Sequence, residues 1–125
     1  MKSICKYVFP LAGLVVLVGC GRSAESSVEH FYTSLSEGKI SDAKELVSKQ
    51  LLGMAGEGKI QSALASEAQK IQSRGGIKSM QVHLEGKGEI RTGTVTITYN
   101  KVAEPKIEKV KVVKEDGQWK LAAEK

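Results

Sequence analysis

The chain has 125 residues, 41% of them hydrophobic, and a formal net charge of +5. That length suits one domain with a real apolar core. Two of the basic residues, Lys2 and Lys6, lie in an N-terminal leader; without them the charge falls to +3, which excludes a nucleic-acid-binding footprint. The two cysteines are Cys5 and Cys20, one inside the leader and one at its end, so neither a disulfide scaffold nor a catalytic or metal-binding thiol is expected in the folded domain.

The leader sets the organisation of the rest. Residues 1–6 are short and positive, and residues 7–18 carry no charge. An apolar run of that length is a secretory h-region, too short for a membrane span of about 20 residues. Pro10 further disfavours a stable anchor helix. The run closes on Leu17-Val18-Gly19-Cys20. This resembles the lipobox of bacterial lipoproteins, in which a small residue lets a signal peptidase reach the backbone and the cysteine thiol takes up a diacylglyceryl group. The resemblance implies a signal peptide over residues 1–19, cleavage before Cys20, lipid attachment (diacylglyceryl and palmitate) at Cys20, and a bacterial cell-envelope location. Gly21, rather than Asp, follows the cysteine; by the same resemblance this points to the outer membrane where two membranes exist. Removing residues 1–19 leaves 106 residues.

Residues 21–27 are small and polar and are expected to form a tether, with Cys20, reaching about 23 Å when extended. The domain is expected over residues 28–125. Ser26 and Glu29 have capping-box spacing, and Val28, Phe31, Tyr32 and Leu35 form one helical stripe that Gly38 stops. A short helix is predicted from an N-cap at Ser41, burying Ala43, Leu46 and Val47. Leu51, Leu52 and Met54 then run through a stretch broken by Gly53, Gly56 and Gly58, which predicts a loop. A third helix is predicted over 59–73, with Ile60, Ala63, Leu64, Ala68 and Ile71 on its buried side; Arg74-Gly75-Gly76 ends it.

From Ile77 the hydrophobic period changes to 2. Met80, Val82 and Leu84 alternate with Gln81, His83 and Glu85, and Gly86-Lys87-Gly88 makes a turn. Val95, Ile97 and Tyr99 alternate with threonines over 94–100. A third strand is predicted over 107–113, but Ile107 and Val110 cannot share a face in a regular strand, which calls for a bulge or burial on both faces. Asp116-Gly117 is a two-residue hairpin signal, and the last strand turns Trp119, Leu121 and Ala123 inward. The predicted class is α+β: N-terminal helices packed on a curved antiparallel sheet of about four strands.

Two segments carry a wider resemblance. One is Phe31-Tyr32-x-x-Leu35-x-x-Gly38-Lys39-x-x-x-Ala43; the other is Val112-Val113-Lys114-Glu115-Asp116-Gly117-Gln118-Trp119-Lys120-Leu121. Together with the intervening strands they look like the small secreted lipoprotein domains of unknown function in the nuclear-transport-factor-like, cystatin-like superfamily. The resemblance spans about residues 26–123 and implies a cone, with a curved sheet wrapped around helices and a pocket or interaction face. It implies no common activity. If the cone interior binds a small molecule, Phe31, Tyr32, Tyr99 and Trp119 are its candidate lining.

Chemistry-bearing patterns are sparse. No metal-ligand spacing, phosphate loop or nucleophile elbow is present, so no catalytic, cofactor or metal residues are assigned. His30 lies off the helical stripe and His83 on the polar face of its strand; both are expected to face solvent. No acidic residue falls on a predicted inward position. Four aromatics in the domain and mostly small aliphatics inside favour a filled core over an open ligand site. Lys109, Lys111, Lys114 and Lys120 concentrate on the last hairpin and are expected to guard exposed strands against edge pairing. The expected function is therefore a non-enzymatic, lipid-anchored envelope protein that presents a small domain to an envelope protein partner or ligand. A pocket-based small-molecule binder is the first alternative; an isomerase- or dehydratase-like enzyme of the same fold is the second.

Overall fold

The computed structural model describes residues 23–123. The predicted signal peptide with Cys5, the predicted lipidation residue Cys20, and Gly21 lie outside the described residues.

Helix α1 (Ala24–Ser36) is capped by Ser23, whose hydroxyl accepts from the Ser26 amide at 3.1 Å. The cap comes three residues earlier than the Ser26/Glu29 spacing predicts. Ala24 and Ser27 are buried with Val28, Tyr32 and Leu35, because small residues extend the same helical stripe backwards. Folded structure thus begins inside the stretch read as tether, and only the part before Ser23 remains available for that role. Gly38, at φ 77, stops the helix as predicted: its amide donates to Leu35 O, and Lys39 N donates to Ser34 O.

Helix α2 (Ile40–Glu45) starts after Lys39 without a side-chain cap, so Ser41 lies inside it rather than at its start. The predicted loop over 51–54 is instead a helix, α3 (Lys49–Ala55). Its N-cap is the buried Ser48, whose hydroxyl accepts from the Leu51 amide. Gly53 is accommodated within it, and only Gly56, at φ 92, breaks the chain before α4 (Glu57–Ser73). Helix α4 buries Leu64, Ala68 and Ile71; Ile60 is half-buried and Ala63 is exposed, against expectation. After Arg74, Gly75 and Gly76 both take positive φ, and the Asn100 side-chain amide clamps their carbonyls from the end of the sheet.

Strands β1 (Ile77–Glu85), β2 (Ile90–Tyr99), β3 (Lys106–Glu115) and β4 (Gln118–Ala122) form one antiparallel meander in sequential order. Asp116 (φ 51) and Gly117 (φ 79) make the tight β3–β4 turn that the sequence signals. The slipped alternation of β3 resolves differently from expectation. Its register against β2 is unbroken, Val110 and Val112 are buried, and Ile107 points outward at 66% exposure. Neither a bulge nor double-sided burial is involved: two buried valines outweigh one exposed isoleucine.

The sheet curls around α1, which packs against both edge strands, β1 and β4. Val28, Leu35, Ile71, Val95, Ile97 and Val112 fill the space between helices and sheet. The free edge of β4 is covered. Val47 bridges Leu121 in parallel, Leu121 N donates to Leu46 O, and Ser48 N donates to Leu121 O. Since β3 is an interior strand, Lys109 and Lys111 guard no edge; they lie on the outer face of the sheet.

Candidate functional site

The concave face of the sheet is built by parity. Val95, Ile97 and Tyr99 are buried, so Arg91 and Gly93, two-residue steps earlier on β2, share their face. On β3 the same rule places Glu108, Val110, Val112 and Lys114 inward. On β4 it places Trp119 and Leu121 inward. The middle of this surface is aliphatic. Its two ends are not.

At one end Tyr32 from α1 meets Glu108 from β3: the phenol donates to Glu108 Oε1 at 3.0 Å. Lys106 Nζ lies 3.2 Å from Glu108 Oε2. Glu108 is an inward acid that the sequence reading did not place, because the β3 alternation was ambiguous there. Phe31 stacks edge-on against Tyr32, with ring centroids 5.2 Å apart at 89°. Tyr99 adds its ring at the same end. Arg74 lies over it, with Cζ 5.1 Å from the ring centroid and Nη1 donating to the Tyr99 hydroxyl at 3.4 Å.

Burial raises the Tyr32 pKa well above the ordinary tyrosine value; the negative charge of Glu108 and the hydrogen bond to it push the same way. At neutral pH Tyr32 is a fixed donor, locking α1 onto β3. The folded state resists Tyr32 ionisation, whereas the unfolded chain ionises near pH 10. Stability from this source is therefore complete below pH 10 and is lost as pH rises beyond it, by up to about 1.4 kcal/mol per pH unit. Urea unfolding of wild type and Tyr32→Phe at pH 8 to 11 should show the two stabilities converging at the alkaline end. A parallel decline in both would remove Tyr32 from the account.

Trp119 lies at the opposite end, where Arg91 and Lys114 approach it. Arg91 Cζ is 4.9 Å, and Lys114 Nζ 5.7 Å, from the indole ring. The four aromatic candidates are thus divided: Phe31, Tyr32 and Tyr99 cluster at one end and Trp119 stands at the other. They do not line one shared pocket. Arg91 was not singled out in the sequence, although counting back by twos from Val95 places it inward. Lys114, expected to guard an exposed strand, lies on the inward face, paired with Trp119 across β3 and β4.

Outside the cone, a depression of about 320 Å³ lies between α1, α2 and β4, lined by His30, Asp42, Glu45, Leu46, Gln118 and Lys120. Lys120 Nζ donates to the Glu45 carbonyl there. His30 is half-buried at this wall rather than fully solvent-facing. His83 is exposed, as expected, and contacts Glu85 at 2.9 Å. Among the described residues, no group of three or more His, Cys, Asp or Glu side chains is placed to hold a metal ion.

The architecture matches a crystal structure from Campylobacter jejuni, provisionally described as an NTF2-like transpeptidase. The TM-score is 0.69 at 18% identity, over 82% of this chain and 100% of that one. At that identity the likeness shows the fold, which is NTF2-like, and the activity in that description remains the other protein's. No curated protein matches the sequence. A family model does, over residues 18–122, and with that span the chain belongs to the DUF4878 family, a domain of unknown function.

Proposed function

We infer that this protein is a lipid-anchored component of the bacterial cell envelope whose NTF2-like domain is non-enzymatic and presents an interaction surface next to the membrane. The carrying observation is the N-terminal order of positive charge, uncharged apolar run and Gly19-Cys20. Two or more acyl chains on Cys20 make anchoring effectively permanent, at about 0.8 kcal/mol per buried CH₂. The start of α1 at Ala24 tightens the geometry. Three residues separate it from Cys20, four steps along the chain and an extended reach of about 13 Å. A domain on so short a leash stays at the bilayer surface. Gly21 after the cysteine favours the outer membrane.

The non-enzymatic reading is supported by how the titratable groups of the cone are used. Tyr32 and Glu108 satisfy each other, and Arg74 is engaged with Tyr99. A general acid or base needs a pKa near the working pH and a free path to substrate; the raised pKa of Tyr32 runs away from that range.

Fractionation of cells producing wild type and Cys20→Ser tests the anchor. Wild type is expected in the membrane and in the detergent phase on phase separation. The variant is expected to lose membrane retention almost completely. Equal distribution of the two would overturn the reading.

A further inference from the structure

The Trp119 end of the cone carries two cations; the acid that meets it through the backbone is Glu89, whose carbonyl accepts from the Lys114 amide at 2.9 Å. The inward faces of β2, β3 and β4 are apolar through Val95, Ile97, Val110, Val112 and Leu121, then finish on Arg91, Lys114 and Trp119. Both cationic groups are within 6 Å of the same indole ring. Among the described residues neither forms an ion pair. The nearest acids in sequence on the β3–β4 turn are otherwise engaged: Glu115 accepts from the Lys49 amide, and Asp116 pairs with Lys49 Nζ at 3.3 Å.

Arg91 Nε is buried and has no hydrogen-bond partner among the described residues. A guanidinium stays charged at every physiological pH, and a buried N–H without an acceptor bears its full desolvation penalty. The indole face attracts the cation but offers no lone pair to that N–H. Protein atoms close that Nε off, so an incoming anion meets the guanidinium through its Nη groups, for which no hydrogen bond is found among the described residues. The acceptor that answers a planar guanidinium fork with a lysine beside it is a carboxylate or phosphate oxygen pair.

We propose that Arg91, Lys114 and Trp119 form a binding site for an anionic group, the carboxylate or phosphate of a small molecule. Arg91 supplies the directed donors. Lys114, exposed at the mouth, supplies a point charge. Trp119, 7% exposed, holds the guanidinium in place from below. The site does not depend on the anchor at Cys20. Because the domain is argued to lie at a bilayer, the same phosphate chemistry has two sources: a free solute or a phospholipid headgroup.

Trp119 is the only tryptophan in the chain, so its fluorescence reports on this site alone. The full-length protein, isolated from producing cells in a neutral detergent, is titrated at constant ionic strength with inorganic phosphate and with succinate. In a second arm the micelles are doped with phosphatidylglycerol. A saturable change is expected, with apparent affinity reduced about tenfold or more in Arg91→Gln and severalfold in Lys114→Gln. A response to the solutes identifies a free small anion as ligand; a response to phosphatidylglycerol alone identifies a headgroup. No saturable change in either arm, or one that both variants retain unaltered, overturns the site. Lys114 is exposed, so its variant decides the matter even where Arg91→Gln fails to fold.

Discussion

Gly93→Ala is expected to destabilise the domain by about 3 kcal/mol, a fall in melting temperature on the order of 12–24 °C for a domain of this size. Gly93 lies on the interior strand β2, between Leu84 of β1 and Val110 of β3. A Cβ there runs into the carbonyl oxygen of His83, with the His83 carbonyl carbon at 2.8 Å and Leu84 Cα at 2.9 Å. These are backbone atoms of the paired strand, so relief means separating β1 from β2. Gly53→Ala provides the contrast. Gly53 is helical in α3, and a Cβ there meets nothing within 4 Å. The same change at that position is expected to stabilise by about 0.5–1 kcal/mol. Thermal melts followed by circular dichroism read both, and equal effects at the two sites would contradict the close approach of β1 and β2.

Leu35→Ala carries the second large effect, a loss of about 3–4 kcal/mol from transfer and cavity terms together. Leu35 is completely buried where α1 meets the curl of the sheet. Ile107→Ala is expected to change stability by no more than about 0.5 kcal/mol, although isoleucine is as apolar as leucine, because Ile107 faces solvent from the outer side of β3. Urea denaturation of the two variants therefore tests the β3 register. A large loss for Ile107→Ala would mean that Ile107, and not Val110, belongs to the core.

The elements legible in the sequence are those whose burial is one-sided and regular. The stripe of Val28, Tyr32 and Leu35, the alternation of Val95, Ile97 and Tyr99, and the Asp116-Gly117 turn each carry a strong local signal, and each is realised. Helix α3 is not legible because it buries none of its residues, contains Gly53 and is followed by Gly56 and Gly58; its one signal is the cap Ser48, whose importance shows only once the serine is seen to be buried. The start of α1 was misplaced because Ala24 and Ser27 are small, and small residues extend a buried stripe without announcing it.

The interior chemistry is hidden by the broken alternation of β3. Ile107 and Val110 cannot share a face, so the sequence leaves the parity of the strand open, and only the burial of Val110 and Val112 places Glu108 and Lys114 on the concave face. Arg91 was hidden for another reason. It precedes Gly93, which interrupts the apolar alternation of β2 just where it would lead back to the arginine. The aromatic candidates were all found to be buried or half-buried, but a list of residues carries no information on which end of a sheet each occupies.

The most direct test of the central claim is the mass of the N-terminal peptide of the mature protein recovered from its host's envelope. The account predicts a chain beginning at Cys20 and carrying a diacylglyceryl thioether. A chain that begins at Met1, or one that begins elsewhere with an unmodified thiol or no cysteine, would contradict it.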